Sequence, residues 1–241
     1  VLNIKTLTVG EMETSCYLVS SSSDGDTEGG SSEVERKCLI IDPGDDADFI
    51  TQTILENKLR PTAIVLTHGH FDHALGCLEL KLNYDIPILL HKNDLKLYSS
   101  ANQSALHWLK KKTLKVPPID QFIKEGDEIK IGDEFLTVLE TPGHTPGSIC
   151  LVYHPKTTNN SKANSSLAMR DDITTSNVII FSGDTLFKDG VGRTDFSYSS
   201  PSDLQSSLRK LKSLIHQTFP LSKGESKGVI IYPGHGETTV L

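Results

Sequence analysis

The chain has 241 residues, 37% of them hydrophobic and 23% charged, with a formal net charge of −7 and an isoelectric point near 5.7. That length reads as one globular domain over residues 1–241 with a core of its own, and the acidic balance offers no basic field to draw in nucleic acid or an anionic membrane. No run approaches the ~18 apolar residues of a membrane span, Val1 to Thr6 lack a signal-peptide layout, and Cys16, Cys38, Cys77 and Cys150 form no Cys-x-x-Cys pair; reduced thiols in the cytoplasm are expected, or in an organelle, since the first residue is not Met.

In chain order, Cys16 to Val19 and Cys38 to Ile41 read as strands joined by a Ser/Gly/Asp-rich stretch. Ile149 to Tyr153 and Val178 to Phe181 form a similar pair around an Asn/Ser/Thr-rich stretch. The joining segments, residues 20–32 and 155–177, are expected to be flexible insertions that lengthen hairpin turns. Phe49, Ile50, Ile54 and Leu55 compose an apolar helical face ahead of the β-branched strand Ala63 to Leu66, and Ala74 to Leu80 again has a helical pattern. Lys92 to Lys124, with Tyr98, Trp108 and Leu109, fits either a lid over a site or a piece of core. Phe135 to Leu139 reads as a strand, and Ser148 opens the next one. Leu204, Leu208, Leu211 and Ile215 recur at helical spacing after Ser200-Pro201, an N-cap followed by proline in the first turn. Val229 to Tyr232 is a last strand. Strands inside and helices outside, in two such halves, predict a layered α/β protein.

The chemistry concentrates in Thr67-His68-Gly69-His70-Phe71-Asp72-His73, directly after a buried-looking strand. Alternate spacing on extended backbone sends His68 and His70 to one side, while Asp72 and His73 fall where the chain turns. Imidazole nitrogens and carboxylate oxygens suit zinc, iron or manganese. Three further strand ends add His144 in Thr141-Pro142-Gly143-His144-Thr145-Pro146-Gly147, Asp184 in Ser182-Gly183-Asp184-Thr185, and His235 after Pro233-Gly234. Asp184 by itself fits a ligand or a helix cap equally. His91, His107, His154 and His216 stand alone and read as histidines satisfied by ordinary hydrogen bonds. Five histidines and two aspartates suffice for two metals with one carboxylate shared. A water between two dications would supply the nucleophile, so no serine nucleophile is needed, and neither Ser148 nor Ser182 lies in a Gly-x-Ser-x-Gly elbow.

These motifs, in this order, resemble the metallo-β-lactamase superfamily, whose His-x-His-x-Asp-His signature matches His68 to His73 and whose early acidic motif matches Asp42-Pro43-Gly44. The resemblance implies a four-layer αββα sandwich with the site at one edge. It also implies His68, His70 and His144 on one metal, Asp72, His73 and His235 on the second, and Asp184 bridging. Asp72 and Asp184 then act in catalysis with a metal-bridging hydroxide. Gly183-Asp184-Thr185-Leu186-Phe187, Gly190 to Asp195 and Tyr232-Pro233-Gly234-His235-Gly236 are closest to the glyoxalase II-like hydroxyacylglutathione hydrolases.

That likeness implies two divalent ions, zinc first with iron or manganese as alternatives, and a small-molecule thioester substrate such as S-lactoylglutathione, as in methylglyoxal detoxification. A thiolate with pKa near ~8.5 leaves without a strong general acid. The chain ends six residues after His235, so either it is cut short or it resembles the short forms without the helical glutathione-binding domain of the longer enzymes. Arg193 or Lys188 is implied for the substrate carboxylate, although Arg193 could equally cap a loop or pair with Asp195. Rival expectations are a mononuclear-iron persulfide dioxygenase, which shares a segment like Gly190 to Phe196, a metal-dependent nuclease or a β-lactamase of the same fold, and a binding module without chemistry.

Overall fold

The computed structural model describes residues 1–21, 35–155, 177–218 and 228–241. Most of the two expected insertions, 20–32 and 155–177, lies outside the described residues. At the near edge of the first, Ser20 and Ser21 are strand, paired with Asn3 and Leu2.

Two six-stranded sheets carry the architecture. The first is built from β1 (Leu2–Val9), β2 (Thr14–Ser21), β3 (Arg36–Ile41), β4 (Leu59–Val65), β5 (Ile88–His91) and β6 (Gln121–Ile123), adjacent in that order. β1, β2 and β3 are antiparallel neighbours, whereas β3 to β6 run parallel. The second holds β7 (Glu128–Ile131), β8 (Glu134–Glu140), β9 (Ile149–Tyr153), β10 (Val178–Gly183), β13 (Val229–Pro233) and β14 (Thr239–Val240). A small ribbon, β11 (Leu186–Phe187) with β12 (Gly190–Val191), stands apart. The helices are α1 (Ala47–Glu56), α2 (Cys77–Tyr84), α3 (Leu95–Ser99), α4 (Ala101–Leu109) and α5 (Pro201–Thr218).

The strands read as continuous apolar runs because both faces of each sheet are covered. Side chains alternate sides along a strand, so Tyr17, Val19, Leu39, Ile41 and Val65 meet Val138, Leu151, Ile179 and Phe181 in a core between the sheets. Their neighbours Cys16, Leu18, Cys38, Ile40 and Ile64 face outward against Ile50 and Ile54 of α1 and Leu80 of α2. On the far side, Cys150, Val152, Ile180 and Ile231 pack on Leu211, with Leu214 and Ile215, of α5. The result is four layers, αββα. Each fully buried aliphatic side chain contributes about 1.5–3 kcal/mol of transfer free energy.

Two helical expectations need correction. In α1 the buried face is Ala47, Ile50, Thr53 and Ile54, while Phe49 and Leu55 are exposed, because 100° per residue turns the neighbours of Ile50 and Ile54 away from the sheet. The helix predicted from Ala74 begins only at Cys77, since a 3-10 turn over Phe71–His73 comes first and the turn that follows it holds Gly76 N to Pro43 O at 2.9 Å. The Lys92 to Lys124 segment divides: Tyr98 is buried with its hydroxyl donating to Pro117 O and Leu109 packs against Phe71 of that 3-10 turn, whereas Trp108 is exposed. At α5, Ser200 caps as expected, its hydroxyl accepting from Asp203 N and its carbonyl from Leu204 N. All four cysteines are buried and free. No described helix is long and apolar enough to cross a membrane.

Candidate metal centre

Strand direction explains why distant residues meet. β8 and β10 both run antiparallel to β9, and β13 runs parallel to β10, so the loops after β8, β10 and β13, which carry His144, Asp184 and His235, leave the second sheet at one edge. β4 delivers His68 to the same edge from the first sheet. The two edges are stitched by Ile149 N donating to Thr67 O at 2.9 Å and Ser15 N to Gly234 O at 2.8 Å.

The seven singled-out ligand candidates converge into two touching groups, His68, His70, His144 and Asp184 in one, Asp72, His73 and His235 in the other. In the first, His70 Nδ1 lies 3.1 Å from both His68 Nε2 and His144 Nε2, and Asp184 Oδ2 is 3.4 Å from His144 Nε2 and 4.0 Å from His68 Nε2. In the second, His235 Nε2 lies 3.3 Å from His73 Nε2 and from Asp72 Oδ2. Asp184 faces this group too, with Oδ1 3.5 Å from His73 Nε2 and Oδ2 3.8 Å from His235 Nε2. No helix follows Asp184, whose successors enter β11, so the capping alternative falls away.

The outward nitrogen of each buried ring faces a polar partner, that of His73 across an ion-pair contact without a formed hydrogen bond. His144 Nδ1 is 2.9 Å from Arg193 O; a carbonyl only accepts, so that nitrogen carries the proton and Nε2 turns a bare lone pair inward. Thr67 Oγ1 sits 3.1 Å from His68 Nδ1, the Tyr198 hydroxyl 2.8 Å from His70 Nε2, and Asp42 Oδ2 3.1 Å from His73 Nδ1. Asp42 adopts φ 50°, unusual for a residue other than glycine, and its carboxylate also accepts from Thr67 N and Oγ1 at 2.8 and 2.6 Å. Such outer partners fix ring orientation at metal sites.

The electrostatics divide the same way. Burial first, then the neighbouring histidines, push His68 well below its ordinary range, and burial with His144 lowers His70 to about 3. Both rings are therefore neutral, the form that ligates. At His73 burial works against the charged ring, yet Asp42, Asp72 and Asp184 together raise it to about 10. Burial also opposes the charged form of Asp72, but His73 and His235 hold it well below the usual carboxylate range. Asp184 Oδ1 is buried with no hydrogen-bond partner, a costly state for a carboxylate oxygen. Converging lone pairs and an orphaned anionic oxygen are the donor set that borderline divalent metals take.

The other residues singled out in the sequence lie differently. Arg193 forms a two-pronged pair with Asp195, both contacts 2.7 Å, and stacks over Phe196 at 4.4 Å. Lys188 pairs with Glu237 at 2.5 Å on the rim of an open cleft of about 500 Å³ lined by Phe187, Gly190 and His235. His91 binds Glu140 at 3.1 Å, His107 and His154 are exposed, and the His216 side chain lies outside the described residues. Sequence reasoning missed Tyr198, stacked on Phe196 at 5.3 Å, and the buried Asp94. Both lie where residue identity gave no signal: Tyr198 reaches His70 from a turn that Ser199 N closes onto Phe196 O, and Asp94 sits in a connecting turn.

A family model described as the metallo-beta-lactamase superfamily matches residues 33–158. The probable metallo-hydrolase YqgX of Bacillus subtilis is 34% identical over 209 residues, covering 86% of this chain and 84% of that protein. Hydroxyacylglutathione hydrolase GloC of Haemophilus influenzae is 30% identical, with 86% and 84% covered. Among solved structures, TTHA1623 in a di-iron-bound form superposes with a TM-score of 0.70 at 29% identity, over 98% of this chain and 94% of that one. The matched fold, the ordered motifs and their convergence at one edge agree, and this chain belongs to the metallo-β-lactamase superfamily.

Proposed function

We propose that the protein is a two-metal hydrolase of thioesters whose substrate is an acylated glutathione such as S-lactoylglutathione. The observation that carries this reading is Asp184, whose single carboxylate faces both ligand groups from between them. His68, His70 and His144 would hold one divalent ion and Asp72, His73 and His235 the other, with zinc the first expectation and iron or manganese the alternatives. When bound, two such ions supply Lewis-acid polarisation of a carbonyl and activation of water at neutral pH.

The chain's own residues do the rest. Arg193 O, Thr67, Tyr198 and Asp42 keep four rings turned inward, which sets where a carbonyl can approach. Burial raises the Tyr198 hydroxyl to about 12, so it stays protonated and serves orientation, not base catalysis. The cleft beside His235 admits a substrate from the second group's side, with Phe187 offering an apolar wall. A thiolate leaves readily at neutral pH, which suits a site whose histidines are committed as ligands. Lys188 is the better of the two candidate anchors for a substrate carboxylate. It lines the cleft and makes a single contact to Glu237, whereas Arg193, in an equally exposed pair that water and salt also screen, makes two contacts to Asp195 and stacks on a ring face. The GloC relationship supports the thioester assignment. No nucleic acid or membrane partner is included.

The test is metal quantification on the full chain beside a thioester panel that contains S-lactoylglutathione. Two metals per chain with hydrolysis of that thioester is the expected result. One iron with persulfide-dependent oxygen consumption would replace the reading with a dioxygenase.

A further inference from the structure

Asp94 stands outside the ligand set, yet its side chain is fully buried, with 0% exposed. Its carboxylate accepts three hydrogen bonds. Gly69 N and Thr145 Oγ1 donate to Oδ2 at 2.8 and 2.6 Å, and Gly147 N donates to Oδ1 at 2.6 Å. Gly69 separates His68 from His70, and Thr145 and Gly147 follow His144. Asp94 thus joins the two loops that supply the first group's three histidines.

The fit is close enough to require glycine on both sides. A Cβ at Gly147 would lie 2.7 Å from Asp94 Cγ and Oδ1, and one at Gly69 would lie 2.7 Å from Asp94 O and 3.0 Å from its Cβ. Burial raises the Asp94 carboxyl above its ordinary range, and its three donors offset only part of that rise. The second group is held by a different acid, since Asp42 reaches His73 directly and His68 only through Thr67.

We infer that Asp94 is a positioning residue that clamps the His68–His70 loop to the His144 loop and sets the geometry of that half of the metal centre, leaving the Asp72–His73–His235 half to Asp42. The inference rests on the two-metal reading above. A carboxylate is required because both its oxygens only accept; an Asn side chain would turn an NH₂ toward a donor and leave one of them unpaired.

The experiment measures zinc per chain by dialysis against graded chelator concentrations, with cobalt absorption spectra and thermal melting alongside, on the full chain. The variants are Asp94→Asn, Thr145→Val, which removes one donor, and Leu136→Ala, a cavity in the inter-sheet core. Asp94→Asn should keep one metal at its original affinity and bind the other about 10- to 100-fold more weakly, the usual cost of losing an outer partner. Combined with His235→Ala it should bind none tightly, which identifies the lost site as the His68 half. Thr145→Val should move the same site less, and it decides the matter if Asp94→Asn fails to fold. Leu136→Ala should lower the melting temperature with both metals retained. Two unchanged affinities in Asp94→Asn, equal weakening of both, or the same selective loss in Leu136→Ala would overturn the inference. Fewer than two metals in the unaltered chain would instead overturn the two-metal reading.

Discussion

The two halves of the molecule build the same centre in opposite ways. The first sheet delivers four of the seven converging groups, His68, His70, Asp72 and His73, from one six-residue run after β4. The second delivers His144, Asp184 and His235 singly, from the ends of β8, β10 and β13. In the first case local backbone geometry sorts the ligands: extended at His70, then a 3-10 turn that swings Asp72 and His73 toward the other group. In the second, strand direction and register do the sorting, so each ligand depends on the whole sheet being in place. A local motif needs few contacts to be correct; a dispersed one integrates the fold.

Asp184 is where the two constructions meet, and changing it should have the largest effect. Asp184→Ala should reduce thioester hydrolysis by more than about 100-fold, beyond the usual cost of an outer partner, and weaken both metals together in a chelator titration. Loss of only one metal would separate halves that the geometry joins. Next come His68→Ala and His235→Ala, each expected to cut tightly bound metal from two per chain to one by elemental analysis, with the opposite half retained.

The halves should also differ in pH response. The metal-free His73 ring is opposed by burial but held up to about 10 by Asp42, Asp72 and Asp184, so it keeps its proton through the neutral range and a metal must displace it. Affinity at the His73 half should therefore rise by about tenfold per pH unit per displaced proton and level off near about 10. His68 and His70 are already neutral there, so those two rings have no proton to displace and affinity at the other half should rise less steeply across a window on the order of two pH units around neutrality. Chelator competition across that window checks the sign; equal slopes would contradict it.

Smaller effects test the outer partners. Tyr198→Phe removes the hydroxyl beside His70 and should cost about tenfold in metal affinity at that half, the low end for such partners. Phe49→Ala, on the exposed side of α1, should change stability by no more than about 0.5 kcal/mol in chemical unfolding; a larger loss would restore it to the buried face.

What was legible in the sequence follows the same contrast. The His68 to His73 run announced itself because residue type and spacing sufficed, and the strands were readable because sheets covered on both faces need unbroken apolar runs. Position at strand ends joined His144, Asp184 and His235 to that run, and the resemblance supplied only which metal each would hold and the bridging role of Asp184. Phe49 and Leu55 misled because an apolar residue next to a core position looks like part of the face. Asp94 was illegible for a physical reason: it acts on Gly69 and Gly147 backbone N–H groups, and backbone donors leave no mark on residue identity beyond the glycine itself. By position Arg193 read equally as a substrate anchor or as a partner of Asp195, and its guanidinium pairs with Asp195.

The account turns on two metals acting together on a thioester, and the rate of S-lactoylglutathione hydrolysis, followed while metal is added stepwise to the metal-free full chain, tests it most directly. Hydrolysis that rises to a plateau at two equivalents per chain is predicted. A plateau at one equivalent, or no hydrolysis at saturation, would contradict it.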